Sequence, residues 1–172
     1  MTTQNIANMD NTVMYLCEWL CEYPNEDDFH PVELIDQMLE CQKFCQDNGF
    51  EIKDENIYYD TASDFLSSNP DERPGLNSLF EAVIRNEKIT NIIVYRIDRL
   101  TRSLNKFLRI VQELSNLGVT VYSVTEPFNT ETFIDDFPNL EMLHIFARME
   151  RDSERDRWSS MMRLEKQKTE VA

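Results

Sequence analysis

A strand, a helix and a second strand follow one another between residues 92 and 124, and this unit constrains the fold most. The first predicted strand is the β-branched and aromatic run from Ile92 to Tyr95, and the second is residues 119–124. Between them, residues 103–117 carry apolar side chains at helical spacing, and Gly118 supplies the stop. This alternation of strand and helix predicts a parallel sheet.

The preceding part of the chain repeats the alternation. An apolar run over residues 13–20 predicts the first strand, although its pattern alone leaves a helix open. A helix is predicted over residues 31–48, a second strand over residues 50–59 and another helix over residues 74–88. The predicted fold class is therefore α/β, with a doubly wound, mostly parallel sheet flanked by helices.

The last predicted element is a long helix. Residues 139–168 contain neither Gly nor Pro, and about 30 helical residues would make a rod of roughly 45 Å. A helix that outruns its domain and still carries large apolar side chains needs a partner surface. We predict a flexible N-terminus over residues 1–12, an α/β domain over 13–136 and a dimerisation helix over 137–172. A homodimer or hetero-oligomer would form through residues 137–168, and a frayed tail is the alternative.

The charge of the chain is uneven, with a net value of −15. Residues 1–90 contain 5 Lys+Arg against 19 Asp+Glu, and residues 91–172 contain 12 against 13. The first half should repel polyanions, whereas the second half could bind them locally. No apolar stretch approaches the roughly 18 residues of a membrane span, and the start lacks a signal-peptide pattern. We therefore predict a cytoplasmic protein that does not contact the membrane.

Four cysteines fall in two pairs, each four residues apart: Cys17 with Cys21, and Cys41 with Cys45. Zinc knuckles use the tighter Cys-x-x-Cys spacing, and no histidine is well placed to complete a set. We therefore predict no metal site and expect these thiols to be small buried side chains.

A cluster of charged residues follows the strand that ends at Tyr95. Arg96, Asp98, Arg99 and Arg102 stand at its carboxyl end, where open α/β sheets place ligand sites. Guanidinium groups bind phosphate through two parallel hydrogen bonds, and a neighbouring carboxylate can orient an arginine for this. Arg99 and Arg102 would share one face if the helix has begun there. The alternative is a solvated, charged helix start.

The segment Asp98-Arg99-Leu100-Thr101-Arg102 after an apolar strand resembles the signature of the serine recombinases, the resolvase and invertase family. Other segments match in order and at suitable spacing between Val13 and about Leu164. They are residues 47–52, 73–76, 118–119, 125–127 and 149–151. The resemblance implies the resolvase-like N-terminal catalytic domain, in which a serine after the first strand attacks a DNA phosphate and arginines stabilise the transition state. It implies no metal and no cofactor.

The resemblance also assigns individual site residues. The family pattern Tyr-x-Arg-x-Ser aligns with Tyr15, Cys17 and Trp19, so a cysteine replaces an active-site arginine and a tryptophan replaces the nucleophilic serine. Another alignment does not restore the serine, because the first serine in the chain is Ser63. The phosphate-binding or DNA-binding residues that the resemblance retains are Tyr15, Gln37, Arg73, Arg96, Asp98, Arg99, Arg102 and Arg151.

These replacements predict a serine recombinase-like domain that lacks DNA cleavage and acts through protein association, for example by regulating an active recombinase or another complex. One alternative is an active strand-exchange domain cut from a longer protein, with an unorthodox nucleophile. Another is an acidic protein that mimics DNA. No separate DNA-binding module of the kind found in relatives is recognised in this sequence, so we expect DNA to bind only weakly or with a partner.

Overall fold

The computed structural model describes residues 11–19, 33–62, 73–85, 88–126, 128–131 and 143–151. The strands are β1 (Thr12–Trp19), β2 (Ile57–Ala62), β3 (Asn91–Val94), β4 (Thr120–Ser123) and β5 (Phe128–Asn129). In the described residues they form a five-stranded sheet with the order β2-β1-β3-β4-β5. The first four strands pair in parallel, and β5 joins β4 antiparallel. The predicted doubly wound, mostly parallel sheet is confirmed.

Helices cover both faces of this sheet. They are α1 (Leu34–Asn48), α2 (Pro74–Arg85), α3 (Leu104–Asn116) and α4, whose described residues are 143–151. Side chains of α1 pack against Met14, Leu16 and Ile93, whereas those of α2 and α3 pack against the alternate strand residues, such as Val13 and Ile92. Two layers of helix around a sheet bury apolar strand residues on both sides, which explains the continuous apolar runs.

The fourth helix extends the core beyond the sheet. Ile145, Phe146 and Met149 of α4 are buried against α3, where they contact Phe107 and Val111. The rings of Phe107 and Phe146 lie 5.1 Å apart between centroids. Aromatic pairs of this kind add to the burial energy of the contact. The rest of the predicted long helix, residues 137–142 and 152–168, lies outside the described residues.

Several predicted boundaries are wrong by a few residues. β2 begins at Ile57 because residues 54–56 form a short 3-10 helix, and Phe50 packs in the core without being a strand residue. β1 begins at Thr12, inside the part predicted to be flexible, since Thr12 is buried and its Oγ1 accepts a hydrogen bond from Asn91 Nδ2 at 3.3 Å. After Glu126 the sequence pattern predicts no strand, yet residues 128–129 form β5.

Helix ends agree more closely with the sequence signals. Gly49 closes α1 with φ of 74°, a left-handed conformation that glycine adopts at little cost. α1 begins at Leu34 after Glu33, and the predicted start at Pro31 lies outside the described residues. α2 is described from Pro74 to Arg85, and the two residues before the predicted end near Lys88 lie outside the described residues. Among the described helices, none has the length and apolar character needed to cross a bilayer.

Candidate functional site

The strand β1 extends past its neighbour β3 at the carboxyl edge of the sheet. β3 pairs with residues 12–15 of β1, whereas β2 stays paired with β1 as far as Trp19. Alternate residues of a strand direct their main-chain groups to the same neighbour, and Asn11 O accepts from Asn91 N on the β3 side. The N–H and C=O of Cys17 therefore point to the side where β3 has ended, and they need other partners.

The side chain of Gln37 supplies these partners. Its Nε2 donates to Cys17 O at 2.9 Å, and its Oε1 accepts from Cys17 N at 3.3 Å. Arg99 Nη1 donates to the same carbonyl at 3.1 Å. Gln37 is fully buried. Because its amide both donates to and accepts from the main chain of Cys17, it takes the place of a peptide group in an adjacent strand. All these bonds go to the main chain of position 17 and leave its side chain uninvolved.

A second network joins β1, β2 and α2 through Tyr15. The Tyr15 hydroxyl donates to Asp60 Oδ2 at 2.8 Å and accepts from Arg73 Nη2 at 2.8 Å and Nε at 3.2 Å. Asp60 also caps α2, since it accepts from Gly75 N at 2.7 Å and Leu76 N at 2.8 Å. Burial raises the pKa of Tyr15 above its usual value, although Arg73 acts in the opposite direction. The hydroxyl therefore stays protonated and can donate to Asp60.

The start of α2 lies very close to β2. A Cβ atom added to Gly75 would lie 2.3 Å from Tyr59 O and 2.9 Å from Asp60 Oδ1. Real Cβ atoms do not approach a main-chain oxygen so closely. Glycine at this position is therefore what lets the helix N-terminus reach the Asp60 carboxylate.

Arg73 is directed into the protein and stabilises the turn that follows β3. Its Nη1 donates to Leu100 O at 2.6 Å, and its Nη2 also donates to Arg99 O. Its guanidinium carbon lies 5.4 Å from the centre of the Tyr15 ring. Each nitrogen of the guanidinium group thus has an acceptor within the chain.

Opposite charges alternate in the turn after β3. Asp98 Oδ2 lies 3.4 Å from Arg96 Nη2, and Asp98 Oδ1 lies 3.2 Å from Arg99 Nε. Arg96 Nε lies 3.9 Å from Glu126 Oε1. Asp98, Arg99 and Glu126 are buried, and the side chain of Arg96 is 28% exposed. Buried guanidinium groups of this kind are stable only with paired carboxylates.

Glu126 fixes the geometry of this turn. Its Oε2 accepts from Ile97 N at 2.9 Å and from the Ser123 hydroxyl. The Tyr15 hydroxyl links Asp60 to Arg73. Three carboxylates and three guanidinium groups therefore lie around the end of β1: Asp60, Asp98 and Glu126, with Arg73, Arg96 and Arg99. The positive charge that an incoming anion would meet here is therefore largely compensated from within the chain.

Cys17 has the environment of a structural thiol. Its side chain is fully buried and forms no disulfide. Desolvation by burial raises the pKa of the thiol, although Arg73 acts in the opposite direction. An attacking thiol must ionise and reach its substrate. Burial opposes both steps for Cys17. Of Trp19, the last residue of β1, only the main chain belongs to the described part.

The structure assembles most of the predicted site residues. Six of them surround the carboxyl end of β1: Tyr15, Gln37, Arg73, Arg96, Asp98 and Arg99. Arg102 is partly exposed in the bend before α3. Arg151 is exposed on α4, where its Nε donates to Ala147 O at 3.2 Å. The binding of phosphate by these residues stays a prediction.

The condition for a common helix face of Arg99 and Arg102, a helix that has begun by residue 99, is not met. Residues 97–99 form a 3-10 turn, and α3 begins only at Leu104. Ser103 caps that helix, since its hydroxyl accepts from Lys106 N. The helix therefore starts after both arginines, and each has separate surroundings.

Sequence reasoning missed Asp60 and Glu126 as site residues. Asp60 ends an apolar run in β2, and Glu126 follows the end of β4. Both therefore lie at the carboxyl edge of a parallel sheet, where polar side chains converge. A carboxylate within two residues of the end of each apolar run was the signal that could have identified them.

The described residues also answer the prediction about cysteines. Cys17, Cys41 and Cys45 are buried and free, which confirms that prediction for these three; Cys21 lies outside the described residues. Burial raises the pKa of Cys41 to about 12 and that of Cys45 to about 11. In the described ranges, no three His, Cys, Asp or Glu side chains are grouped so that they could hold a metal ion.

Sequence comparison relates the chain to known proteins. The family described as "Resolvase, N terminal domain" matches residues 26–171, a range that begins after β1. The DNA-invertase of Enterobacteria phage P7 is 30% identical over 89 residues, which cover 52% of this chain and 46% of the relative. The transposon Tn552 DNA-invertase BinR of Staphylococcus aureus is 36% identical over 64 residues, covering 37% and 32%. The matched part thus spans less than half the length of either relative.

Solved structures share the fold at low sequence identity. The N-terminal catalytic domain of TP901-1 integrase superposes with a TM-score of 0.54 and 17% identity, over 85% of this chain and 95% of that domain. A resolvase family site-specific recombinase from Streptococcus pneumoniae gives a TM-score of 0.52 with 16% identity, over 92% and 99%. At these identities the likeness concerns the fold alone.

Proposed function

We propose that this chain, which belongs to the resolvase family of serine recombinases, keeps the fold of the family's N-terminal domain without its DNA-cleaving reaction and acts by associating with other protein chains. The reaction expected from the family needs a nucleophile at the end of the first strand. It also needs guanidinium groups that can hold a phosphate in line with that nucleophile. The surroundings of β1 argue against both requirements.

The environment of Cys17 carries this proposal. The family resemblance places an arginine there, yet this thiol is fully buried and its pKa is raised by desolvation. Residues 13–19 of β1 include no serine or threonine that could replace a lost nucleophile. Removing the nucleophile of a covalent mechanism removes nearly all of its rate enhancement.

The arginines support the same conclusion. Arg73 donates to main-chain carbonyls and to Tyr15, and Arg99 donates to Cys17 O while it pairs with Asp98. A phosphate that recruited Arg73 would displace its contacts to Tyr15 and to main-chain carbonyls. A phosphate at Arg99 would lie close to the carboxylate of Asp98. The cost of leaving buried partners unpaired opposes that exchange.

The helix predicted over residues 137–168 is our candidate for the associating element. Its described part, α4, is fixed to the α/β domain by three buried side chains, while Leu143 remains 41% exposed. A helix that is anchored on one side and exposes an apolar side chain on the other can dock a second chain. An active recombinase or a second copy would be the partner, and DNA would be reached through that partner.

A denaturing-gel search for a covalent protein–DNA adduct tests the loss of cleavage. The probe is a random-sequence duplex library labelled at the 3′ ends, because an enzyme joined to the 5′ phosphate would retain that label. The DNA-invertase of Enterobacteria phage P7, assayed on a 3′-labelled duplex that carries its own recombination site, serves as the positive control. We expect a shifted band for the control and none for this chain.

A shifted band for this chain that disappears in the Arg99→Ala variant would overturn the proposal. The control variant is Arg109→Ala on α3, whose side chain is exposed away from the site. Sedimentation analysis of the same preparations tests the association. A chain that stays monomeric alone and in mixtures with an active relative would contradict the second half of the proposal.

A further inference from the structure

The outer face of α1 carries two exposed apolar residues that its own domain does not cover. Ile35 is 51% exposed and Leu39 is 55% exposed. The residues directly after them, Asp36 and Glu40, are exposed carboxylates. Residues four apart lie above one another on a helix, so the apolar pair forms a stripe and the acidic pair forms its flank. We name these four residues the α1 patch.

The outer face of α4 repeats the apolar spacing, and its flank carries one basic residue, Arg148, in place of acidic ones. Leu143 is 41% exposed, and Ala147 is exposed one turn later. The residues directly after them, His144 and Arg148, are also exposed. The inner face of α4 is occupied by α3, so this outer face is available to another chain. We name these four residues the α4 patch.

We infer that the α1 patch of one copy docks on the α4 patch of a second copy, with the two helices antiparallel. Both patches have apolar residues at positions i and i+4 and polar residues at i+1 and i+5, of which Asp36, Glu40 and Arg148 are charged. Each polar residue is therefore rotated by about 100° from its apolar neighbour in the same direction. In antiparallel packing these equivalent flanks meet, whereas in parallel packing each flank would meet the opposite side of its partner.

The antiparallel arrangement gives a specific set of neighbours. Leu39 lies opposite Leu143 of the second copy, and Ile35 lies opposite its Ala147. On the flank, Asp36 faces the second copy's Arg148, and Glu40 faces its His144. Apolar contacts supply the association, and charge pairs determine orientation and partner choice.

Charge complementarity is the reason to choose a second copy as the occupant. Two α1 patches would repel each other, because Asp36 and Glu40 give each of them two negative charges. The surrounding first half of the chain is acidic as well, with 19 of the 32 acidic residues. The basic α4 patch is present on every copy of the same chain. If a two-fold axis relates the two copies, the contact forms twice in one dimer. If the contact forms only once between two copies, each copy keeps a free patch and longer assemblies result.

The inference rests on the proposed function, because it identifies the surface through which the chain associates. Its test is a charge-exchange cycle in the full chain, followed by sedimentation velocity over a wide concentration range. Asp36→Lys and Arg148→Glu each place like charges opposite one another. We expect each single variant to associate about tenfold more weakly than the unmodified chain, and the double variant to recover most of the loss.

Matched controls use exposed residues of α3, which is outside both patches. Glu113→Lys and Arg109→Glu make the same changes of charge and should leave association unchanged. Leu39→Gln removes an apolar contact at a site where the side chain is already exposed, so folding should survive while association weakens. Circular dichroism of every variant confirms that the fold is intact.

Recovery in the double variant supports the inference, because a general loss of folding or solubility would not reverse. Equal association of all variants would overturn it while leaving the proposed association through the long helix intact. A monomeric unmodified chain overturns the inference as well. Binding of the α1 patch to a basic peptide of another sequence would not rescue it. The loss of cleavage in the proposed function is tested separately, because a covalent DNA adduct would contradict it whatever the variants show about association.

Discussion

The Tyr15 hydroxyl should be a major source of stability rather than of reactivity, and Tyr15→Phe tests this. The substitution removes one hydrogen bond to Asp60 and two from Arg73 without opening a large cavity. Hydrogen bonds to charged groups contribute about 1.5–3 kcal/mol each. Asp60 keeps its bonds to α2, and Arg73 keeps its carbonyl acceptors. We therefore expect a net loss of about 2–4 kcal/mol, less than the sum of three bonds.

Urea unfolding followed by far-ultraviolet circular dichroism measures this loss. With a slope of about 2 kcal/mol per molar urea, the midpoint should fall by about 1–2 M. Tyr59→Phe is the matched control, because Tyr59 is on the same strand as Asp60 and is 64% exposed. Its midpoint should change little. Equal midpoints for the two variants, with an unchanged slope, would refute the structural role of the Tyr15 network.

Three further predictions concern stability. Gly75→Ala should cost at least about 2 kcal/mol, because the new Cβ would meet Tyr59 O at 2.3 Å; Gly118→Ala, with open space around it but φ of 70°, should cost about 1 kcal/mol in the same urea assay. Gln37→Leu should cost about 1–3 kcal/mol, since Cys17 N loses its acceptor, whereas the exposed Gln46→Leu should be near neutral. Burial raises the pKa of Cys41 from 9.0 to about 12 and that of Cys45 from 9.0 to about 11. The two thiols therefore ionise at lower pH in the unfolded chain than in the folded one. Their contribution to the free energy of unfolding is complete below pH 9 and is lost as the pH rises toward 12. Urea titrations at several alkaline pH values should therefore show a shallower decline for the Cys41→Ala, Cys45→Ala double variant than for the unmodified chain.

Local periodicity accounts for the parts of the fold that could be predicted. The strand–helix–strand unit around Gly118 was recognisable because its apolar spacing and its stop signal lie within a few residues of one another. The start of β2 was not, since Phe50 resembles a strand residue but packs beside Tyr122, with ring centroids 5.1 Å apart. That contact joins residues far apart in the chain, and no local pattern encodes it.

In the site, too, the residues that are close in sequence could be predicted, whereas contacts between distant residues could not. Arg96, Asp98 and Arg99 were found because they are neighbours in sequence at the end of a strand. The role of Asp60 was not found, because its partner Tyr15 is 45 residues away. The direction of the Arg73 side chain also depends on a distant turn, at Leu100. Sequence identifies which charges gather at this edge, while the packing decides whether they face a ligand or one another.

The amide of Gln37 has a consequence for how the family can change over time. It holds the end of β1 through the main chain of position 17, so these hydrogen bonds do not depend on which side chain that position carries. Reactive side chains at this edge can thus be exchanged without rebuilding the architecture beneath them. A lineage can abandon its reaction in a few substitutions and still inherit a stable protein whose surfaces remain open to selection for new roles.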